Sequence, residues 1–247
     1  MKSSSFLHVT LLRMVLFCMV SCGERSDEKN NEATDSVAND TTAVVTTTIA
    51  PSTIITTPEN MMVVTHKVAD FDKWLASYEA HDSMKLANGI HNYVIGRSIK
   101  DPNMILVATK VDDLEKAKAF GKSADLKQAM QKGGVTKPVI SLITMTYQDT
   151  GNVNTDLRSR TTFTVKDWNK WQRTFDSTRQ VRLDNGLIDR AYGHDAGDNK
   201  KVTIVVAITD TAKANAFWKS QQLKQLRAGS GAVGEPERFL FRIVKRY

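Results

Sequence analysis

The chain has 247 residues, a formal net charge of +7 and two cysteines, a length that admits one large domain or two small ones. The charge is uneven: residues 1–60 carry 4 basic and 7 acidic side chains, residues 61–150 carry 12 and 10, and residues 151–247 carry 18 and 10, net −3, +2 and +8. A basic final stretch can favour anionic partners, but no basic run interleaved with aromatic residues and no nucleic-acid motif accompanies it, so no nucleic-acid partner is expected and the excess reads as a solvated basic face.

Residues 1–21 read as an export signal. Lys2 and Arg13 make its start positive, and the apolar run Met14–Val20 is far shorter than the about 20 residues needed to span a bilayer. Met19-Val20-Ser21-Cys22 resembles a bacterial lipobox. The resemblance implies cleavage before Cys22 and acylation of its thiol, palmitate included; the alternative is an ordinary secretory signal or a short anchor. Several acyl chains give firm membrane attachment where one gives marginal binding. Gly23 after the cysteine favours the outer membrane by analogy with other lipoproteins, and Glu24, Asp27 and Glu28 resemble the acidic patch of surface-directed ones. With Cys18 lost in the signal and Cys22 lipidated, thiol catalysis, cysteine-ligated zinc and iron–sulfur clusters are excluded together.

Residues 22–60 form the lipidated N-terminus and a tether. They are rich in Ser, Thr, Asn, Asp and Glu, have no aromatic residue, and cannot bury enough apolar area to offset chain entropy, so disorder is expected, with the Ile54-Ile55 pair too short to alter it.

From residue 61 the chain repeats itself at an offset of 97 residues. Val68-Ala69-Asp70-Phe71-Asp72-Lys73-Trp74 falls on Val165-Lys166-Asp167-Trp168-Asn169-Lys170-Trp171, Asn88-Gly89 on Asn185-Gly186, Gly96 on Gly193, Asp113 on Asp210 and Ser123 on Ser220. Two units follow, 61–149 and 156–247. In the first, a strand at 61–68 leads to a helix capped by Asp70 and stopped at Asn88-Gly89. Strands at 90–99 and 104–108 come next, then a helix capped at Asp112-Asp113, a short helix at 124–131, and a strand at 138–147. The second unit has a strand at 157–165, a helix at 168–185, strands at 187–194 and 201–209, helices at 211–218 and 220–228, a loop containing Gly229, Gly231 and Gly234, and a strand at 236–246. Each unit is β-α-β-β-α-β, the ferredoxin-like order.

Val139–Ile143 and Val202–Ile208 are apolar on both faces, whereas an antiparallel sheet with one face in water alternates. Helices would cover one face and the other unit's sheet the second. With this feature the sequence resembles the dimeric α/β-barrel superfamily, which includes antibiotic-biosynthesis monooxygenases. The residues that carry the resemblance are Val68–Trp74, Asp101-Pro102-Asn103, Asp112–Ala117 and Ser123–Lys127. It implies an α+β fold in which two fused units build an intramolecular pseudo-dimeric barrel, with pockets between each sheet and its helices.

On the first helix Phe71, Trp74, Tyr78 and His81 share a face; in the second unit Trp168, Trp171, Phe175 and Thr178 do. Phe71, Trp74, Tyr78, Trp171 and Phe175 are the candidate ligand-binding residues, with ordinary core packing as the plainer alternative. Three histidines belong to the first unit alone: His66 stands against Phe163, His81 against Thr178 and His91 against Ile188. His66 could approach His81 across the pocket, where a histidine could be a general base or bind metal, or the two could simply be hydrogen-bonded and partly buried. His91 reads as exposed, and Lys110 as a lone surface lysine. Haem-degrading relatives use a histidine on the second helical segment, and residues 113–132 contain none. No phosphate loop, nucleophile elbow, His-Glu metal motif or calcium loop is present, so no metal and no cofactor is expected. Three readings stay open: a module binding a small apolar or aromatic ligand or a partner, a cofactor-independent monooxygenase-like enzyme on an aromatic or quinol-like substrate, and a purely structural envelope protein.

Overall fold

The computed structural model describes residues 52–247. The export signal, Cys22 and most of the expected tether lie outside the described residues. Nine strands and eight helices follow in the order β1 (Ile54–Ile55), β2 (Glu59–Lys67), α1 (Phe71–Ala80), α2 (Asp82–Ala87), β3 (Ile90–Ser98), β4 (Met104–Val111), α3 (Leu114–Gly121), α4 (Ala124–Lys132) and β5 (Thr136–Asp149). The second half continues with β6 (Leu157–Val165), α5 (Trp168–Ser177), α6 (Arg179–Asp184), β7 (Leu187–Asp195), β8 (Asp198–Ile208), α7 (Thr211–Lys219), α8 (Gln221–Ser230) and β9 (Ala232–Arg246). Among these residues no helix is long and apolar enough to cross a membrane.

The helices start where local chemistry requires. Asp70, Asp113 and Ser123 each accept the backbone N–H three residues on, at 2.9–3.1 Å, and their counterparts at the 97-residue offset, Asp167, Asp210 and Ser220, do the same at 2.6–3.1 Å. Gly89 and Gly186 end the first helical segment of each half with φ of 66° and 70°, a left-handed conformation that only a residue without Cβ adopts cheaply.

The strands run β5-β2-β4-β3 in the first half and β9-β6-β8-β7 in the second, the ferredoxin-like order twice. The β3–β9 and β5–β7 pairs join the two halves, so eight antiparallel strands close into one barrel. Closure removes the free edges that an open sheet would expose. Gly96 sits at the first seam, opposite Ile243, and Gly193 at the second, opposite Met145. A side chain at Gly96 would collide with the Phe241 ring, and one at Gly193 with the backbone of Thr144 and Met145. The repeated glycine is thus the residue that lets each half approach the other.

Alternation along the strands sends one set of side chains into the barrel and the other toward the helices. Met61, Val63, Leu106, Ala108, Met145 and Phe241 fill the interior. On the helix side, Met62, Ile90 and Phe120 and, separately, Val68, Trp74 and Ile105 pack in the first half. Trp168, Trp171 and Tyr192, with Leu157, Val206 and Phe217, do so in the second. The apolar-on-both-faces strands therefore have two covers, helices outside and the partner half inside.

Four expectations are corrected. The folded chain begins before residue 61: Ile54 and Ile55 pair with Asp149 and Gln148, the extended end of β5 supplying the partner that a two-residue strand needs. The single long first helix expected in each half is two helices, meeting at His81 in the first and at Thr178 in the second, where the Thr178 hydroxyl donates to the Thr174 and Phe175 carbonyls. Gly234 is not in a loop but inside β9, with φ of 68° where the β6–β9 register shifts, as a bulge requires. The basic surplus of the second half is not wholly a solvated face: Arg158 and Arg182 are buried, and Arg158 and Arg160 alternate with helix-facing residues so that barrel closure encloses them.

Candidate functional site

Each half holds a cavity between its sheet and its helices. The first, of about 80 Å³, is lined by Met62, Val64 and His66 from β2, Trp74, Ser77 and Tyr78 from α1, His81, Lys85 from α2, and Phe120, Leu126 and Met130 from α3 and α4. A single water needs only about 10–15 Å³. The wall is almost wholly apolar apart from a few named groups.

His66 is the least settled of these. It is 3% exposed, its ring lies 5.1 Å from that of Trp74, and neither Nδ1 nor Nε2 has a hydrogen-bond partner among the described residues. Burial pushes its pKa down from 6.5 to about 4, so at neutral pH the ring is an uncharged imidazole with one donor and one acceptor aimed at apolar surroundings. Trp74 stacks on Tyr78 at 5.3 Å. His81 lines the same cavity, but its Nδ1 is held by the Ser77 carbonyl at 2.6 Å, and no hydrogen bond links it to His66.

Of the five aromatic candidates, Trp74 and Tyr78 line the first cavity, and Trp171 and Phe175 line the corresponding cavity of the second half. The candidates are thus divided between two places rather than gathered in one. Phe71 lines neither: it packs on Trp74 at 5.7 Å with the Arg97 guanidinium 4.3 Å above its ring, because the first residue of a helix lies at the rim of the face. His91 is exposed and meets Asp112 at 2.9 Å. Lys110 is not a lone surface lysine: it is half-buried at the end of β4 and pairs with Glu59 at 2.9 Å, an acid supplied by the chain ahead of the expected unit boundary.

The residue that side-chain periodicity missed is Lys85. It is buried, its Nζ donates to the Tyr78 carbonyl at 3.2 Å and to Asn92 Oδ1 at 2.8 Å, and it lies 3.3 Å above the Tyr78 ring and 3.3 Å from Asp82. Burial lowers its pKa, with Asp82 opposing. Tyr78 donates to the same Asn92 oxygen at 2.6 Å, and burial raises its own pKa. The second half builds the same device from stronger parts. Arg182 holds Asp189 through two bonds of 2.7 and 2.6 Å and lies 3.5 Å over Phe175. Lys85 and Arg182 fall at the repeat offset, as do Asn92 and Asp189, and that double coincidence was the available signal.

The second cavity, of about 100 Å³, has Phe163 where the first has His66 and Thr178 where it has His81. Phe163, Trp171 and Phe175 pack there with centroid distances of 5.8 and 5.0 Å, while Arg227 and Arg238 contribute charge. The α3–α4 wall of the first cavity carries no His, Cys, Asp or Glu side chain, and among the described residues no group of three or more of these is placed to hold a metal ion.

No protein-family model and no curated protein sequence matches this chain. Solved structures do. A candidate chlorite dismutase is 13% identical, with 76% of this chain and 96% of that one covered, at a TM-score of 0.52. An anthrone oxidase-like protein is 14% identical, with 78% and 95% covered, at 0.51. A ferredoxin-fold protein related to antibiotic biosynthesis monooxygenases from Listeria monocytogenes 4b F2365 is 6% identical, with 77% and 97% covered, at 0.44. At these identities the likeness concerns fold: the chain is a fused, pseudo-dimeric α/β barrel of the ferredoxin-like kind.

Proposed function

We propose that the protein is an outer-membrane lipoprotein, anchored through Cys22, whose first sheet–helix cavity binds a small aromatic molecule bearing one hydroxyl or carbonyl group. The observation that carries the binding reading is His66, buried in an apolar, aromatic-walled cavity with both ring nitrogens unpartnered. A buried polar group left unsatisfied costs about 1–3 kcal/mol, and a ligand supplying one donor or acceptor recovers that cost. Trp74 and Tyr78 provide the flat surface on which an aromatic ring stacks. The anchor rests on the sequence Met19-Val20-Ser21-Cys22.

A cofactor-independent oxygenase acting on a quinol-like substrate is the second reading, favoured by the same uncharged imidazole and by the name of the anthrone oxidase-like neighbour. There His66 would take a proton from a substrate hydroxyl. The environment that holds its pKa near 4 also disfavours the imidazolium that this step creates, which is why binding ranks first.

Native mass spectrometry with an absorption spectrum, on the full chain purified in detergent, tests the cavity. A co-purifying small molecule, lost in Trp74→Ala and His66→Phe, is expected; a clean apo mass with no aromatic ligand bound in a screen overturns the reading. Consumption of oxygen by a quinol, abolished in His66→Ala, would instead establish the enzyme. Fractionation tests the anchor: Cys22→Ser should release the protein from membranes.

A further inference from the structure

Inside the barrel lies a third cavity, of about 100 Å³, whose two sides differ in chemistry. The first half lines it with Met61, Val63, Leu106 and Ala108, while the second half adds Arg158, Arg160 and Arg190 beside the apolar Val205, Phe241 and Ile243. At the repeat offset Met61 stands against Arg158, Val63 against Arg160 and Tyr93 against Arg190. Three places that are apolar or aromatic in one copy thus carry guanidinium groups in the other. Arg246, the last residue of β9, is the fourth, and Asp149 is the one carboxylate residue among those lining the wall.

These cations are poorly matched. Asp149 pairs with Arg190 at 3.1 Å, and Asp156 lies 3.7 Å from Arg246. Arg158 is 2% exposed, and its Nη1 donates only to the Thr155 and Leu157 carbonyls, at 2.6 and 3.1 Å. Arg160 makes no ion pair among the described residues, and its Nε is buried with no acceptor; only the more distant Glu237 offsets its charge. Burial, reinforced by Arg246 and Arg190, pushes Arg158 down to about 10, which still leaves it charged at neutral pH. Buried charges without partners are unfavourable, and replacing them by apolar residues is the usual remedy. The first half has apolar residues at the same places, so the fold does not need the arginines.

We propose that the barrel interior binds a small organic carboxylate, its anionic end on Arg158 and Arg160 and its apolar body against Met61, Val63 and Leu106. The planar guanidinium fork matches a carboxylate through paired hydrogen bonds. The facing apolar wall selects an organic anion over a fully hydrated inorganic one. This site is separate from the sheet–helix cavity and stands whether or not that cavity binds a ligand.

Calorimetric titration and thermal unfolding of the full chain carrying His66→Phe, which closes the sheet–helix cavity to ligands, with benzoate, benzyl alcohol and inorganic phosphate test it. Benzoate should bind and raise the unfolding midpoint, and benzyl alcohol, which keeps the ring and removes the charge, should not. Arg158→Met with Arg160→Val installs the first half's own residues and should weaken benzoate binding at least about tenfold, while His91→Ala, at an exposed site outside all three cavities, should leave it unchanged. If that double variant does not fold, Arg160→Gln, which retains bulk without charge, should show the loss. Absence of benzoate binding, an equal response to benzyl alcohol, a response to phosphate alone, or affinity unchanged in the arginine variants would overturn the proposal.

Discussion

The two halves of the barrel share one scaffold and differ in what they bury. Caps, helix-ending glycines and seam glycines recur at the same offset, because each solves a backbone problem that both copies have. Some side chains facing enclosed space recur, Trp74 with Trp171 and Phe120 with Phe217, and others do not. The first half places an uncharged, unpartnered histidine in its sheet–helix cavity and apolar residues in the barrel; the second places Phe163 in the cavity and arginines in the barrel. What the halves share is what folding needs, and what they do not share marks where each copy could acquire a separate task.

The widest gap between the halves should appear at the cation beneath each aromatic ring. Arg182→Ala leaves Asp189 buried without a counter-charge and should cost about 3–5 kcal/mol in denaturant unfolding. Lys85→Ala, whose main side-chain acceptor Asn92 is neutral, should cost about 1–3 kcal/mol. Equal losses would show that the second half gains nothing from its full ion pair.

The seams should differ next. Gly193→Ala pushes a methyl into backbone, which cannot yield without parting β5 from β7, and should cost about 3 kcal/mol. Gly96→Ala meets the Phe241 ring, which can rotate aside, and should cost about 1–2 kcal/mol. The reverse order would mean that β3–β9, not β5–β7, is the less forgiving junction.

Making the first cavity resemble the second is the sharpest use of the comparison. His66→Phe should stabilise the protein by about 1–3 kcal/mol at pH 7, by removing two buried unpartnered nitrogens, while abolishing ligand binding. It should also flatten the acid limb of stability. His66 titrates near 4 when folded and near 6.5 when unfolded, so between these values the unfolded chain binds more protons. Native stability therefore falls as pH drops from about 6.5 to about 4, and that part of the slope should vanish in the variant. The smallest effect is expected at His91→Ala, since an exposed pair with Asp112 contributes about 0.2–1 kcal/mol.

Much of this was legible before the structure. The repeat, the Asp and Ser caps and the alternating strands are local or periodic features, and they carry the β-α-β-β-α-β order and the paired halves. His66, Trp74, Tyr78 and His81 could be placed on facing surfaces of β2 and α1 because a period of two and a period of 3.6 decide which side chains share a side. Lys85 escaped because its partners, Asn92 and Asp82, lie across a strand and a helix turn, and charged residues default to solvent unless a partner is visible. Phe71 falls outside both cavities because a face has a rim, and only packing shows where it ends.

By itself, then, the sequence determined the element order of each half and the duplication, which are written in local periodicity and in the repeat along the chain. The tertiary structure alone decided that Ile54-Ile55 pairs with the end of β5, that the aromatic candidates line two cavities, and that Arg158 and Arg160 lie inside. Alternation puts those arginines on one face of β6, but a face becomes an interior only when distant strands close around it. Closure is a property of pairings some 50 to 150 residues apart, and no local pattern encodes which side of a strand it will enclose.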